Sequence, residues 1–146
     1  MDLCAFCEII AGRSPASLVA ESALSFAFCD LRQPHPNGVG GHLLVVPRKH
    51  IETLDMLDDD SAADLMRLAA RVAAAMRPAF GDSYSLWQSN GESAFQEVPH
   101  VHLHLVTRLP KDGLLRIYPG DGEPPTPAQR HSLDALAETL RRHLNE

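Results

Sequence analysis

Residues 100–106 read His-Val-His-Leu-His-Leu-Val, with an imidazole at every second position of the first five. In an extended strand successive side chains point to opposite faces. His100, His102 and His104 then form one row, while Val101, Leu103 and Leu105 face a core. A rise of ~3.3 Å per residue spaces neighbouring imidazoles ~7 Å apart at the backbone, so two histidines flank whatever the middle one holds. Neutral imidazole is a nucleophile near pH 7, and flanking rings can donate hydrogen bonds to charge developing on phosphoryl oxygens. That combination suits covalent catalysis at phosphorus. Three histidines on one face equally suit a metal ion, the commoner use of such spacing. A single strand histidine is usually no more than a satisfied polar group. Spacing alone leaves the choice open.

A second set of chemistry-bearing residues is Cys4-x-x-Cys7. The chain has no second Cys-x-x-Cys, and two cysteines so placed are often plain buried apolar residues. With Cys29 they read as reduced thiols or metal ligands rather than disulfides. His35 falls in a turn-rich loop and His131 and His143 in a C-terminal helix, all three read as solvated. His42 reads as core packing in an apolar strand.

These side chains need a frame. The spacing predicts a short helix over Cys4–Ala11, ended by Gly12. Ser17–Ala20 and Leu24–Cys29 read as strands joined by a turn at Glu21-Ser22, and Gln33–Gly41 as a loop. His42–Val46 reads as a buried strand stopped by Pro47. A long helix is predicted from Asp59 to Met76, with Leu65, Leu68, Ala69, Val72 and Met76 on one face. Asp58–Ser61 supply its cap, and Pro78 and Gly81 close it. Tyr84–Trp87 is a further strand, Ser89–Phe95 a polar loop, and Pro99–Thr107 the clearest strand. Leu109–Pro127 reads as irregular. Thr126 is placed as the cap of a final amphipathic helix bearing Leu133, Leu136, Leu140 and Leu144. The layout is α+β, an antiparallel sheet covered by helices. Residues 1–108 are expected to form the core domain, with 109–146 an extension packed on it.

Composition agrees with this frame. The 146 residues, 22% charged and 45% hydrophobic, fit one globular domain rather than a disordered chain. A net charge of −6 argues against wholesale nucleic-acid binding. A small anionic ligand remains compatible, since backbone N–H groups and a few histidines hold phosphate locally. No apolar run approaches the ~20 residues of a membrane helix, and Met1–Ile10 lacks a basic leader. A cytosolic setting is expected.

Taken together, these residues resemble the histidine-triad (HIT) superfamily, whose signature alternates three histidines with apolar residues; residues 100–106 fit all seven of its positions. The resemblance spans roughly Cys4–Arg108. It includes Cys4-Ala-Phe-Cys-Glu-Ile-Ile10, Phe26–Asp30, Gly41–His50 and the Gln96-Glu97-Val98 that leads into the triad. It implies a HIT-like fold and a nucleotidyl hydrolase or transferase acting at the α-phosphate of purine nucleotides: phosphoramidates, phosphate esters or dinucleoside polyphosphates. His102 would be the nucleophile that becomes nucleotidylated, and His104 would bind a phosphate oxygen. His100 would position the nucleophile, and Gln96 would sit near the phosphate and leaving group. Asp30 would accept hydrogen bonds from the ribose hydroxyls, and Phe6, Ile9, Phe28 and Leu31 would make the purine slot. Ser89 stands on the phosphate side, where an asparagine is usual. The resemblance also implies a homodimer and, in some members, a structural zinc on two cysteines and two histidines, which match Cys4, Cys7, His50 and His100. No metal is expected to be needed for the chemistry. Phe95 and Glu97 depart from the usual glycine and small hydroxyl residue, which places the differences on the leaving-group side. They motivate an alternative, a nucleotide-binding regulatory module with negligible turnover. A zinc-dependent binding protein, with every triad histidine on metal, is a second rival.

Overall fold

The computed structural model of the chain describes residues 3–35, 38–114 and 124–144. The chain divides into two compact units, Met1–Asp112 and Gly113–Glu146. The first contains helix α1 (Ala5–Ile10), strands β1 (Leu18–Glu21), β2 (Ser25–Cys29) and β3 (His42–Pro47), the long helix α2 (Asp59–Phe80), and strands β4 (Tyr84–Trp87) and β5 (Leu103–Thr107). The strands form one antiparallel sheet in the order β1-β2-β3-β5-β4. The fold is the α+β arrangement expected, a five-stranded sheet with a long helix.

Strand alternation gives the sheet two apolar faces. On one, Ala27, Leu43, Val45, Val101, Leu103 and Leu105 pack against Leu65, Leu68, Ala69, Val72 and Met76 of α2. On the other, Phe28, Leu44 and Val46 cluster with Phe6 from α1. The aliphatic residues between the histidines are therefore core, and the imidazoles lie on the α1 side.

The α2 N-terminus is capped as its sequence requires: Asp58 Oδ1 accepts from Ser61 N at 2.8 Å, and the second carboxylate oxygen takes the Ser61 hydroxyl. Its C-terminus differs from expectation. The helix continues four residues past Met76, through Pro78, to Phe80. A proline in the last turn keeps a helical φ and forfeits only one N–H. The stop comes at Gly81, whose φ of 106° leaves helical space while its N–H still bonds Arg77 O at 2.9 Å.

A second correction concerns the histidine strand. Pro99–Thr107 was expected to be strand throughout, but only Leu103–Thr107 is laddered. Extended by two residues, the β3–β5 register sets Val46 opposite His102 and Pro47 opposite Val101, but there β3 ends: Pro47 has no N–H, and its carbonyl is taken by the His100 ring at 2.8 Å. Val101 N bonds Ile51 O instead, at 2.7 Å.

The loop after β2 is also less solvated than its composition implies. His35 is buried, with Nε2 2.7 Å from Thr107 O, so a solvated reading of this residue is wrong. Gly40 permits that packing, because a Cβ there would sit 2.7 Å from the His35 ring. Gln33 completes the closure. Its amide nitrogen donates to Asp30 O and His42 O, and its amide oxygen accepts from His42 N at 2.8 Å. These bonds fix Asp30 and His42 relative to one another.

The second unit contains α3 (Arg130–Leu144), which carries the four leucines at helical spacing and exposed His131 and His143. Thr126 is not its cap. Pro127 biases Thr126 toward extended backbone, and the first carbonyl engaged is that of Gln129. Part of the expected irregular segment, residues 115–123, lies outside the described residues. Among the described residues no helix is long and apolar enough to cross a membrane.

Candidate functional site

His102 is buried, 5% exposed, where the chain enters β5. Its Nδ1 lies 2.7 Å from the His100 carbonyl oxygen. A carbonyl only accepts, so Nδ1 carries the proton and Nε2 keeps its lone pair. Phe6 of α1 meets the ring edge-on, with centroids 5.1 Å apart, and also packs against Phe28 at 5.5 Å. The middle histidine is thus held in one tautomer and one plane, with the nucleophilic nitrogen left over.

His104 sits in the ladder between Leu44 of β3 and Trp87 of β4. Its Nδ1 is 2.9 Å from His42 Nε2, and its ring is 4.7 Å from that of His102. Trp87 lies parallel to it, centroids 4.5 Å apart at an interplanar angle of 0°. Burial pushes His104 down to about 4, the neighbouring His102 and His42 push the same way, and the Asp30 carboxylate opposes them. Burial likewise lowers His42, against the pull of Asp30 and a hydrogen bond to the Arg32 backbone. Both rings are therefore neutral at pH 7. The ligand-capable atoms of Asp30, His42 and His104 all lie within 4.8 Å of one another. His42 is thus not mere core packing but a member of this cluster. Neither it nor Trp87 was among the residues picked out from the sequence. Strand parity puts His42 on the face of Leu44, but that His42 and Trp87 both neighbour His104 follows only from the cross-strand register.

Of the expected purine slot, Phe6, Ile9 and Phe28 come together in one cluster with Leu44 and Val46. Leu31 does not join them. It is fully exposed at the start of the loop, past the end of β2. Asp30 Oδ1 accepts from Arg32 N at 2.7 Å, which fixes the carboxylate, and its second oxygen has no hydrogen bond among the described residues.

The 88–98 segment departs most from its expected role. Gln96 uses its side chain to tie the segment down: Oε1 accepts from Gly91 N at 2.7 Å, and Nε2 donates to Glu52 O at 2.8 Å. It braces the loop instead of presenting an amide to a ligand. Ser89 is half-buried, two residues beyond Trp87. Phe95 occupies left-handed backbone, φ 61°, with its ring 88% exposed, an unusual conformation for a bulky residue. Glu97 pairs with Arg32 at 3.3 Å on the surface.

A separate cluster forms where α1 meets the triad. Cys4 Sγ and Cys7 Sγ lie 3.4 and 3.7 Å from His100 Nδ1, and Cys7 Sγ lies 3.4 Å from His50 Nδ1. All four ligand atoms fall within 4.8 Å of one another. A tetrahedral metal ion with sulfur and nitrogen ligands has S···N edges of about 3.5 Å, so the set matches a metal site. His100 is fully buried, and its Nε2 donates to Pro47 O, which leaves the Nδ1 lone pair toward the cysteines. Burial lowers the basicity of this imidazole, partly offset by that hydrogen bond, and so keeps it in the neutral form a metal requires. Burial and the adjacent Cys4 thiol push the Cys7 thiol up.

Residues 11–111 match the HIT domain family. An adenosine 5'-monophosphoramidase of Schizosaccharomyces pombe is 35% identical over 137 residues, covering 94% of this chain and 95% of that protein. The solved histidine triad nucleotide-binding protein of Candida albicans superposes with a TM-score of 0.77 at 26% identity, covering 98% of each chain. A zinc-bound histidine triad family protein of Mycobacterium smegmatis gives 0.68 at 31% identity, covering 77% of this chain and 79% of that one.

Proposed function

The chain belongs to the HIT domain family, and from that premise we propose that it is a nucleotidyl hydrolase or transferase working through a covalent nucleotidyl-His102. The observation that carries this reading is the 2.7 Å bond from His102 Nδ1 to the His100 carbonyl, which reserves the Nε2 lone pair for attack. Nε2 forms a bond to the α-phosphorus of a purine nucleotide, and the bond from phosphorus to the leaving group breaks. The leaving group departs with a proton drawn from solvent, which the attacking water of the second step gives back. Water then attacks the same phosphorus, the N–P bond breaks, and a nucleoside 5'-monophosphate is released with the imidazole regenerated. Backed by the resemblance to adenosine 5'-monophosphoramidases, phosphoramidates head the substrate classes, ahead of phosphate esters and dinucleoside polyphosphates.

Mixing the protein with an adenylate ester of a chromogenic phenol tests the reaction. A burst of phenol stoichiometric with chain should precede the steady state, and intact-mass spectrometry of acid-quenched samples should show one nucleotidyl group per chain. Gln96, bound into its loop, favours one other reading, a nucleotide binder with negligible turnover. No burst and no adduct, with nucleotide still bound, would establish that instead.

Asp30 is assigned to the ribose hydroxyls on the strength of its unshared carboxylate oxygen. Asp30→Ala should weaken binding of a ribonucleoside monophosphate by about 10-fold or more, and that of its 2'-deoxy analogue much less. Equal weakening of both, measured by calorimetry, would remove Asp30 from the ribose.

The assembly is read as a homodimer. β4 is an edge strand, and it exposes Tyr84 and Leu86 on the face opposite Trp87. An exposed apolar edge is normally covered. Sedimentation equilibrium should return twice the chain mass, and a monomer at micromolar concentration would count against the reading.

A further inference from the structure

We propose that Trp87 is a positioning residue for His104: its indole fixes the imidazole plane and stabilises the ring's positive charge while a phosphate is bound. The inference rests on the reading of His104 as the histidine that receives a phosphate oxygen.

The geometry begins with register. Trp87 and His104 are cross-strand partners of β4 and β5, and their rings stack in parallel at 4.5 Å. Such a pair holds an imidazole in one plane, and its π-face attracts a cation within about 6 Å. The tautomers say why that matters. His42 Nε2 and His104 Nδ1 lie 2.9 Å apart, so one of the two carries the shared proton, and the Arg32 backbone beside His42 favours the tautomer in which His42 Nε2 accepts. His104 Nδ1 therefore donates, and His104 Nε2 carries a lone pair. A lone pair repels a phosphate oxygen. To serve that oxygen His104 must take up a second proton and become imidazolium.

The groups facing His104 are His102 on its own strand, His42 on β3, Asp30 at the end of β2 and, on β4, the uncharged Trp87. Among them only Asp30 is anionic. In the ligand-free protein burial and the two imidazoles prevail and the ring is neutral. A phosphate dianion tips that balance, and the indole face lowers the cost of the charge it calls for.

Trp87 is the single tryptophan of the chain, so its emission reads this contact once the second imidazole beside it, His42 at 5.4 Å, is removed by working in a His42→Asn background. Imidazolium quenches a stacked indole. Titrating the fluorescence from pH 8 downward should show quenching with a midpoint near 4, lost in His104→Gln. Adenosine 5'-monophosphate should raise the midpoint by about one unit or more. Because the folded ring is held below its ordinary value of 6.5, its contribution to stability is complete above about pH 6.5 and is lost as pH falls toward 4. Far-UV circular dichroism therefore accompanies the titration, and where unfolding overlaps it, the His104 ring-proton resonance in wild type and Trp87→Phe replaces fluorescence. For turnover, Trp87→Leu should lower kcat about 10-fold with KM little changed and move the alkaline limb of kcat to lower pH; Trp87→Phe should recover most of both.

Quenching that survives in His104→Gln, or Leu and Phe variants with the same pH profile, would overturn the proposal. If wild type shows no turnover, the catalytic reading fails, while the titration still decides whether Trp87 and His104 are coupled.

Discussion

Replacing His102 with alanine should lower nucleotide turnover by about 10⁴-fold or more and abolish the covalent adduct, because the substitution removes the only atom assigned to form the N–P bond. Removing a flanking group is a smaller loss: His104→Ala should cost on the order of 10²–10³-fold, the usual effect of deleting one donor to developing charge. The two variants are separable in the structure. His102 contributes a local bond to His100 O and an edge contact to Phe6, whereas the strand is anchored by Val101, Leu103 and Leu105 on the opposite face. The fold should therefore persist, at the cost of a small buried cavity. His102→Gln, closer in volume, controls for that cavity and should be equally inactive. Nucleotide affinity should change little, since the ribose and purine contacts are assigned to other residues. Steady-state kinetics with adduct detection and calorimetric binding on the same preparations check each part. A His102→Ala protein that retains more than a trace of activity would rule out the covalent route.

Much of this site was legible because strand parity and ligand chemistry both act over short spans of sequence. Alternation at residues 100–106 separates core aliphatics from imidazoles, and the structure places Val101, Leu103 and Leu105 in the core as that pattern requires. Helix α2 announced itself through its Asp58 cap and its apolar face. What stayed hidden depends on partners distant in sequence. Nothing near His42 says that His104 will lie 2.9 Å away, and nothing near Trp87 says that the same ring will stack on it. His35 looked solvated because its loop is rich in turn formers, yet its partner is the Thr107 carbonyl, 72 residues on. Gln96 shows the converse. Its place in the motif marks a ligand-facing amide, but the orphan N–H of Gly91 and carbonyl of Glu52 engage it. Motif position constrains which residue is present more tightly than what its side chain touches.

The purified protein should carry about one zinc per chain, held by Cys4, Cys7, His50 and His100. Two thiolates and two imidazoles are a common structural zinc set, and four protein ligands would leave no open position for catalysis. The S···N separations of 3.4–3.7 Å are those of a tetrahedral site, and the hydrogen bond from His100 Nε2 to Pro47 O fixes the tautomer the metal needs. The ion's place in the fold sets its effect. Cys4 and Cys7 belong to the α1 segment that carries Phe6, and His100 lies two residues before His102, so the metal would clamp the α1 segment to the strand that bears the proposed nucleophile. Its binding free energy would then add to folding, by about 4 kcal/mol at a free concentration 1,000 times the dissociation constant. Cys4→Ser with Cys7→Ser should accordingly lower the melting temperature by on the order of 10 °C. Activity at 25 °C should fall only a few-fold, because His102 Nδ1 is held by a backbone carbonyl that the metal does not touch. Elemental mass spectrometry on protein never exposed to nickel resin or chelator measures the first claim, and calorimetry of the double variant measures the second. A metal-free preparation with full stability and activity would eliminate the zinc site and leave the case for His102 where it stands.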